Sequence, residues 1–228
     1  MELRGCLVTS LDLKPSAGWA GQHLQQDVHE YLHELRAEYE HKKHTLQQAH
    51  GLRKCWLRLL AAVGLFKLRR YDVVMAHFSC KDIGMAGRAH APSSRDVHRA
   101  LQLPLELLLD TSGLFPEVYV ENPARGALER AWRRLGHQPP QVVQFWQFGD
   151  PADDRNRTTK PTAIFSGCQN KVTKKLMADN RAPPRRGLLD TLRDWMDMWG
   201  VGKHACEDAR EATPPGLAHA YARDLLCS

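Results

Sequence analysis

A thiol and a carboxylate each follow a short apolar segment of this chain, and together they could perform covalent catalysis. Cys80 comes soon after the apolar residues 73–76, and Glu121 and Asn122 come directly after residues 118–120. A cysteine is partly thiolate near neutral pH and is strongly nucleophilic, and a positioned glutamate can serve as a general acid. These residue types therefore predict a nucleophile and an acid that act on one substrate.

Both apolar segments have the character of strands buried in a parallel sheet, since they are short, rich in β-branched residues and free of polar alternation. In open α/β sheets, ligands bind beyond the carboxyl ends of the strands. We therefore expect the sulfur of Cys80 and the carboxyl group of Glu121 to face each other across one pocket, on neighbouring strands.

Strands and helices alternate along the 228 residues, which predicts one α/β domain over residues 1–228. A charged helical stretch at about 30–70, divided near Gly51, is predicted as an insertion. We expect strands at 5–13, 22–27, 72–77, 117–121, 141–148 and 162–166. We expect further helices at 96–109 (kinked or interrupted at Pro104), 124–135 and 187–199, and a last helix opened by Thr213-Pro-Pro-Gly216.

Composition limits the cellular context. The net charge of +6 and the isoelectric point near 9.1 permit a polyanionic partner without requiring one. The six cysteines form no CxxC pair, and the first residues lack a hydrophobic signal core. The longest apolar stretch, 56–66, contains Arg58 and is too short to span a bilayer. We expect a soluble intracellular monomer, cytoplasmic or nuclear, with no membrane partner.

Seven segments match, in the same order, one enzyme family. They include Val120-Glu-Asn-Pro123 and the segment 71–80 that ends at Cys80; the others are 10–16, 21–28, 143–151, 160–162 and 210–220. With these segments the chain resembles the cytosine-5 DNA methyltransferases, most closely their compact bacteriophage-type members. The matches leave out about 30–70 and 171–208.

The resemblance implies S-adenosylmethionine as cofactor and assigns three residues to it. Asp12, at the end of a strand, would bind the ribose hydroxyls, as a carboxylate does in dinucleotide folds. Asp27 would lie near the adenine amino group, and His77 would also belong to the cofactor site. The helix after Thr213 matches the segment that closes over the cofactor.

For the reaction itself, the resemblance implies that Cys80 is the nucleophile, Glu121 the acid that engages the cytosine ring and Asn122 its positioning partner. Gln147 and Lys160 would line the nucleic-acid cleft. A thiolate that adds to carbon 6 of cytosine makes carbon 5 nucleophilic enough to accept a methyl group from a sulfonium. The acid stabilises this addition at ring nitrogen 3. The base must leave the DNA helix to reach such a pocket.

The resemblance also implies a Rossmann-like methyltransferase sheet, mostly parallel, with helices on both faces. The chain departs from the family pattern in three places. It lacks the opening strand and its Gly-containing cofactor loop, so the sheet is expected to be incomplete at its N-terminal side. It has Phe78-Ser79 where the family places proline before the nucleophile. The stretch at about 30–70 is longer than the family's connection.

Four of the candidate residues also have a purely structural interpretation. Cys80 could be a buried thiol, because free cysteine is among the most buried residues. Asn122 and Asp27 could each cap a following helix, and Asp12 could cap a turn.

Two other functions remain open. One is a catalytically inactive methyltransferase fold that binds nucleic acid. The other is a zinc hydrolase, because His29-Glu-Tyr-Leu-His33 satisfies HExxH. That motif needs a third ligand, and position 39, where the extended histidine motif would place one, is a tyrosine. We therefore predict no metal site.

Overall fold

The computed structural model describes residues 9–12, 22–63, 66, 71–78, 83, 93–148, 161–179 and 215–226. The strands are β1 (Thr9–Asp12), β2 (Gln22–Gln25), β3 (Val73–His77), β4 (Glu117–Pro123), β5 (Gln141–Gln144) and β6 (Pro161–Ser166). The helices are α1 (Val28–Gln48), α2 (Gly51–Ala62), α3 (Ser94–Leu108), α4 (Ala127–Arg134) and α5 (Pro215–Tyr221), which continues as a π-helical turn, Ala222–Leu226.

Four strands form the main sheet in the order β3-β4-β6-β5. β3 and β4 are parallel, whereas β6 runs antiparallel to both of its neighbours, β4 and β5. A parallel neighbour would need a long crossover connection, and an antiparallel neighbour can be reached through a loop. Because one pairing is parallel and two are antiparallel, the sheet is mixed: β3, β4 and β5 run in one direction and β6 runs in the other.

β1 and β2 pair in parallel as a separate two-stranded sheet, with Asp12 opposite Gln25. Leu11 and Leu24 nevertheless contact the same apolar core as β3 and β4. The α/β class predicted from the sequence is confirmed, and the architecture is compatible with a Rossmann-like fold. The expectation of a mostly parallel sheet is wrong for the four-stranded sheet, where two of the three pairings are antiparallel.

Helices α1, α3 and α4 cover one face of the main sheet. Their buried side chains meet the strands in one apolar cluster, which contains Tyr31, Leu32, Leu35, Leu103, Leu107, Leu108, Leu128 and Trp132 from the helices and Val118, Val120, Ala163 and Phe165 from the sheet. An ion pair between Arg36 and Glu106, 3.2 Å long, also joins α1 to α3.

α5 covers the opposite face. The cluster there contains Tyr119, Val143 and Ile164 from the sheet, Phe145, Phe148 and Leu176 from loops, and Leu217, Ala220, Tyr221 and Leu225 from the C-terminal helical segment. Helices on both faces were expected, and the structure confirms them. Along β4, Val118 and Val120 enter the first cluster and Tyr119 enters the second, as the alternation of side chains along a strand requires.

Several predicted elements have different bounds. α3 begins at Ser94 because Ser93 and Asp96 form a capping box, and it runs through Pro104 without interruption. The predicted strand 141–148 ends at Gln144, after which Phe145–Gln147 form a 3-10 turn. The division of 28–70 near Gly51 is confirmed, since α1 ends at Gln48 and α2 begins at Gly51. The predicted helix 187–199 lies outside the described residues.

In the part of the chain that the structure describes, no helix is both long enough and apolar enough to cross a lipid bilayer.

Candidate active site

The parallel pairing of β3 with β4 sets the geometry of the candidate site. In this register His77, the last residue of β3, lies opposite Glu121. The two strands point the same way, so their carboxyl ends meet at one edge of the sheet. The His77 Nε2 atom is 4.0 Å from the Glu121 Oε1 atom, and the imidazole is partly exposed. The pairing therefore places a ring nitrogen next to a carboxylate at the edge where an α/β sheet binds ligands.

Glu121 is buried, with 3% of its surface exposed, and its carboxyl group has a protein donor. The Tyr221 hydroxyl donates a hydrogen bond of 2.7 Å to Glu121 Oε2, across 100 residues of sequence. Burial, followed by the negative charge of Glu121, raises the pKa of Tyr221 well above its usual value of 10. The Tyr221 hydroxyl therefore keeps its proton and donates a hydrogen bond to Oε2. The other carboxyl oxygen, Oε1, is the one that lies toward His77.

The C-terminal segment that carries Tyr221 is tied to the rest of the site. The Lys174 ammonium donates to the carbonyl of Leu225 at 3.1 Å and forms an ion pair with Glu117 of β4 at 3.0 Å. Arg223 donates to the carbonyl of Met177 at 2.6 Å. These contacts join the end of the helical segment to residues 174–177 and to the start of β4, so Tyr221 is held over the sheet by more than apolar packing.

Asn122 points away from Glu121. Neighbouring residues of a strand face opposite sides of the sheet, and Glu121 meets Tyr221 on the α5 side. The Asn122 side chain is fully buried, and neither its Oδ1 nor its Nδ2 atom has a hydrogen-bond partner among the described residues. The structure therefore does not bring the predicted acid and its predicted positioning partner together on one face.

The surroundings of Asn122 are tight. The Ile83 carbonyl accepts a hydrogen bond of 2.7 Å from the amide of Ala127, the first residue of α4. A Cβ atom placed on Gly126 would lie 2.7 Å from that same carbonyl oxygen and 3.6 Å from Asn122 Oδ1. Gly126 is the N-cap residue of α4, so Asn122 does not cap this helix. The buried Asn122 amide therefore does not have the helix-capping role that its position before α4 predicted.

The two aspartates assigned to the cofactor occupy strand and helix ends. Asp12 is the last residue of β1, as predicted, and its side chain lies outside the described residues. Asp27 is the N-cap residue of α1, where its Oδ1 atom accepts hydrogen bonds from the amides of His29 and Glu30 at 2.8 and 3.1 Å. Capping is thus an observed role of Asp27, and it uses one of the two carboxylate oxygens.

Of the remaining candidates, only Gln147 is described. Its Oε1 atom accepts a hydrogen bond of 2.6 Å from the amide of Gln144, so the side chain closes the turn after β5. Cys80 and Lys160 lie outside the described residues. His29, Glu30 and His33 are exposed on α1, and the described residues contain no grouping of three or more possible metal ligands.

Tyr221 is the site residue that sequence reasoning missed. The signal that could have found it is its residue type, because a tyrosine buried on an apolar helix face usually places its hydroxyl against a hydrogen-bond partner. Which partner it meets depends on how α5 packs on the sheet, and this packing is not visible in the sequence.

No protein-family model, curated protein or solved structure matches this chain.

Proposed function

We propose that this chain is an S-adenosylmethionine-dependent methyltransferase that acts on carbon 5 of cytosine in DNA. The ordered sequence resemblance supports this function. The structural observation that carries it is the pairing of His77 with Glu121, because it sets a buried carboxyl group at the carboxyl end of the strand next to the one that leads to Cys80. Cys80 follows His77 by three residues in the sequence.

In the proposed reaction, the Cys80 thiolate adds to carbon 6 of a flipped cytosine. The protonated carboxyl group of Glu121 donates to ring nitrogen 3 and so stabilises the negative charge that the addition creates. Carbon 5 then takes the methyl group. Water, acting as a base, removes the carbon 5 proton, the thiolate leaves carbon 6, and the proton on ring nitrogen 3 returns to Glu121, which restores both the ring and the enzyme. The cofactor supplies an electrophilic methyl group on a sulfonium.

Tyr221 gives Glu121 a defined orientation in this proposal. Its hydroxyl donates to Oε2, which leaves Oε1 as the oxygen that carries the proton toward the base. His77 lies on the Oε1 side, at 4.0 Å. A hydrogen bond that fixes a general acid keeps it within reach of one ring atom, and positioning of this kind is a large part of acid catalysis.

The described residues fit the proposed cofactor at Asp27. Its two capping hydrogen bonds both go to Oδ1, so the Oδ2 atom is available to accept a hydrogen bond from an exocyclic amino group such as that of adenine. Asp12 would hold the ribose hydroxyls from the end of β1. The DNA cleft would include Gln147 and Lys160.

A mechanism-based trap tests the proposal. An oligonucleotide that contains 5-fluorocytosine, incubated with the full chain and S-adenosylmethionine, should give a covalent adduct, because the fluorine cannot leave as the carbon 5 proton does. Cys80→Ser should abolish the adduct. Cys168→Ser, which changes an exposed thiol elsewhere on the molecule, should leave it unchanged. Absence of an adduct with the unsubstituted chain, or its survival in Cys80→Ser, would contradict the proposed nucleophile.

One structural feature favours the alternative of an inactive fold that binds nucleic acid. Among the described residues, β1 and β2, which would hold the cofactor, form their own sheet and are not hydrogen-bonded to β3. Calorimetry distinguishes the two functions. The enzyme should bind S-adenosylmethionine, whereas an inactive relative would bind only DNA, with an affinity that falls steeply as salt is raised.

A further inference from the structure

Helix α2 presents a row of large apolar side chains to solvent. Leu52, Trp56, Leu59 and Val63 are 85%, 62%, 53% and 60% exposed, and no residue of Gly51–Ala62 is buried. We call these four side chains the α2 stripe. Exposed apolar surface of this continuity is uncommon on a soluble protein and marks a contact surface.

The α2 stripe has the spacing of a helix that docks through one face. Its members stand at positions i, i+4, i+7 and i+11, which place them in a narrow line along the helix. Leu57 and Leu60, to one side of the line, are partly buried. Helices that bind in a groove use anchors with this spacing, and tryptophan is prominent among residues that dominate binding energy.

The charges of α2 define the partner further. Arg53, Lys54 and Arg58 are all exposed, and residues 51–63 contain no acidic side chain. By helical spacing, Arg53 lies to one side of the α2 stripe, Arg58 lies to the other side and Lys54 lies on the opposite face. Two copies of α2 placed face to face would bring Arg53 and Arg58 near those of the other copy, and residues 51–63 contain no carboxylate to pair with them. A partner with acidic groups around an apolar groove would satisfy both the α2 stripe and its basic flanks.

We infer that α2 is a docking helix for a protein whose apolar, helix-binding groove has an acidic rim. A groove matches the α2 stripe better than a lipid surface does, because the strongly exposed side chains form a narrow line and those at its side are already half-covered. This interaction is separate from the methyl-transfer site, since no residue of α2 belongs to that site.

Calcium-loaded calmodulin is a suitable probe, because calcium opens an apolar groove in an acidic protein and this groove accepts many basic amphipathic helices. Titration of the full chain into calcium-loaded calmodulin should give saturable binding. Calcium-free calmodulin, which is acidic but closed, serves as the charge control and should bind much more weakly.

Two variants locate the contact. Trp56→Ala should weaken binding roughly tenfold or more, as expected for a central aromatic anchor. Val172→Ala removes a similarly exposed apolar side chain far from α2 in sequence and should leave the affinity unchanged. Both positions are exposed, so neither substitution should unfold the chain.

The proposal is overturned by no binding to the calcium-loaded form, or by equal binding to both forms, which would mean attraction by charge alone. It is also overturned if Trp56→Ala and Val172→Ala behave alike. Tighter, Trp56-dependent binding to phosphatidylglycerol vesicles than to calcium-loaded calmodulin would assign α2 to a lipid surface instead.

Discussion

At the end of β4, two neighbouring buried polar residues lie on opposite faces of the sheet and differ in their hydrogen bonding. On the α5 face, Glu121 is buried and accepts a hydrogen bond from Tyr221. On the α4 face, Asn122 is buried and both of its amide atoms lack a partner among the described residues. A buried amide without partners costs about 1–3 kcal/mol. The buried carboxyl group on the α5 face thus has a hydrogen-bond partner within the protein, whereas the buried amide on the α4 face lowers the stability of the fold.

This difference indicates which residues hold the site together and which are available to bind. A polar group that is already paired, such as the Glu121 carboxyl group, has one oxygen fixed and can present the other in a set direction. A buried amide without a partner gains stability when a ligand, or a rearranged part of the protein, forms hydrogen bonds with it. Buried polar groups without hydrogen-bond partners, which lower the stability of the fold, are a feature of functional sites.

The largest change is expected on the α4 face, from Gly126→Ala. The added methyl group would lie 2.7 Å from the Ile83 carbonyl oxygen and 3.2 Å from that of Pro123. Both neighbours are backbone atoms that cannot rotate away, so we expect a loss of about 3 kcal/mol in the free energy of unfolding, the upper end for overpacking. Urea unfolding followed by circular dichroism measures it.

Gly136→Ala is the matched control for Gly126→Ala. No atom lies within 4 Å of a Cβ at position 136, but the residue has φ of +81°. Its cost should come from backbone strain alone, about 1–2 kcal/mol. An equal loss of stability in the two variants would mean that the close contact with the Ile83 carbonyl is not the cause of the destabilisation by Gly126→Ala.

On the α5 face, Tyr221→Phe removes one hydroxyl and leaves the ring. The buried Glu121 carboxyl group then loses its donor, and we expect a loss of about 2 kcal/mol in stability. Methyl transfer should fall in kcat more than KM rises, because the substitution disturbs the orientation of the acid and leaves the substrate surface intact. A purely structural role for Tyr221 would lower stability with no change in kcat.

The same variant has a signature at alkaline pH. Below pH 10, the ordinary tyrosine pKa, the Tyr221 hydroxyl is protonated in the folded and the unfolded chain alike. Above it, the unfolded chain releases the proton while the folded chain keeps it, so stability must fall as the pH rises. Tyr221→Phe should flatten this fall. Tyr119, whose pKa burial raises to about 12, should contribute to the slope that remains.

The smallest effect on stability is expected for Asn122→Leu. Because the amide makes no hydrogen bond to the described residues, an apolar side chain of similar size should leave the free energy of unfolding unchanged or raise it by up to about 1 kcal/mol. Methyl transfer should nevertheless be lost if the amide serves the substrate. A stable and fully active variant would exclude a role for Asn122 in the reaction.

Asn170→Leu provides the contrast. The Asn170 side chain accepts a hydrogen bond from the Val118 amide at 2.9 Å and donates to the Val118 carbonyl and the Ser166 hydroxyl. Its removal should cost about 2 kcal/mol or more. Thermal unfolding of the two variants side by side would show whether the comparison between a paired and an unpaired asparagine holds.

Local sequence signals predicted the elements well where they are strong. The division near Gly51, the end of β1 at Asp12 and the strands on either side of the candidate site were all visible as patterns. Strand direction was not, because β6 has the composition of any buried strand and only its hydrogen bonds reveal that it is antiparallel. Pro104 was expected to disturb α3, but the helix continues through it.

The candidate site was predicted in part. Its edge of the sheet followed from two apolar strands that end in reactive residues, and β3 and β4 are indeed neighbours. The separation of Glu121 from Asn122 also follows from strand alternation, although the family resemblance implied that the two side chains act together. Tyr221 could not be assigned, because its contact joins positions 100 residues apart. The catalytic, cofactor-binding and DNA-binding roles of all the candidate residues stay predictions, and Cys80 and Lys160 lie outside the described residues.

The long chain separation between Glu121 and Tyr221 also matters while the protein is being made. A ribosome adds about 5–20 residues per second, so the carboxylate exists for roughly 5–20 s before the phenol that will hold it has been synthesised. During that time the face of β4 that carries Glu121 has no cover from α5. The hydrogen bond between Tyr221 and Glu121 can therefore form only after the helical segment 215–226 has been synthesised and has docked on the sheet.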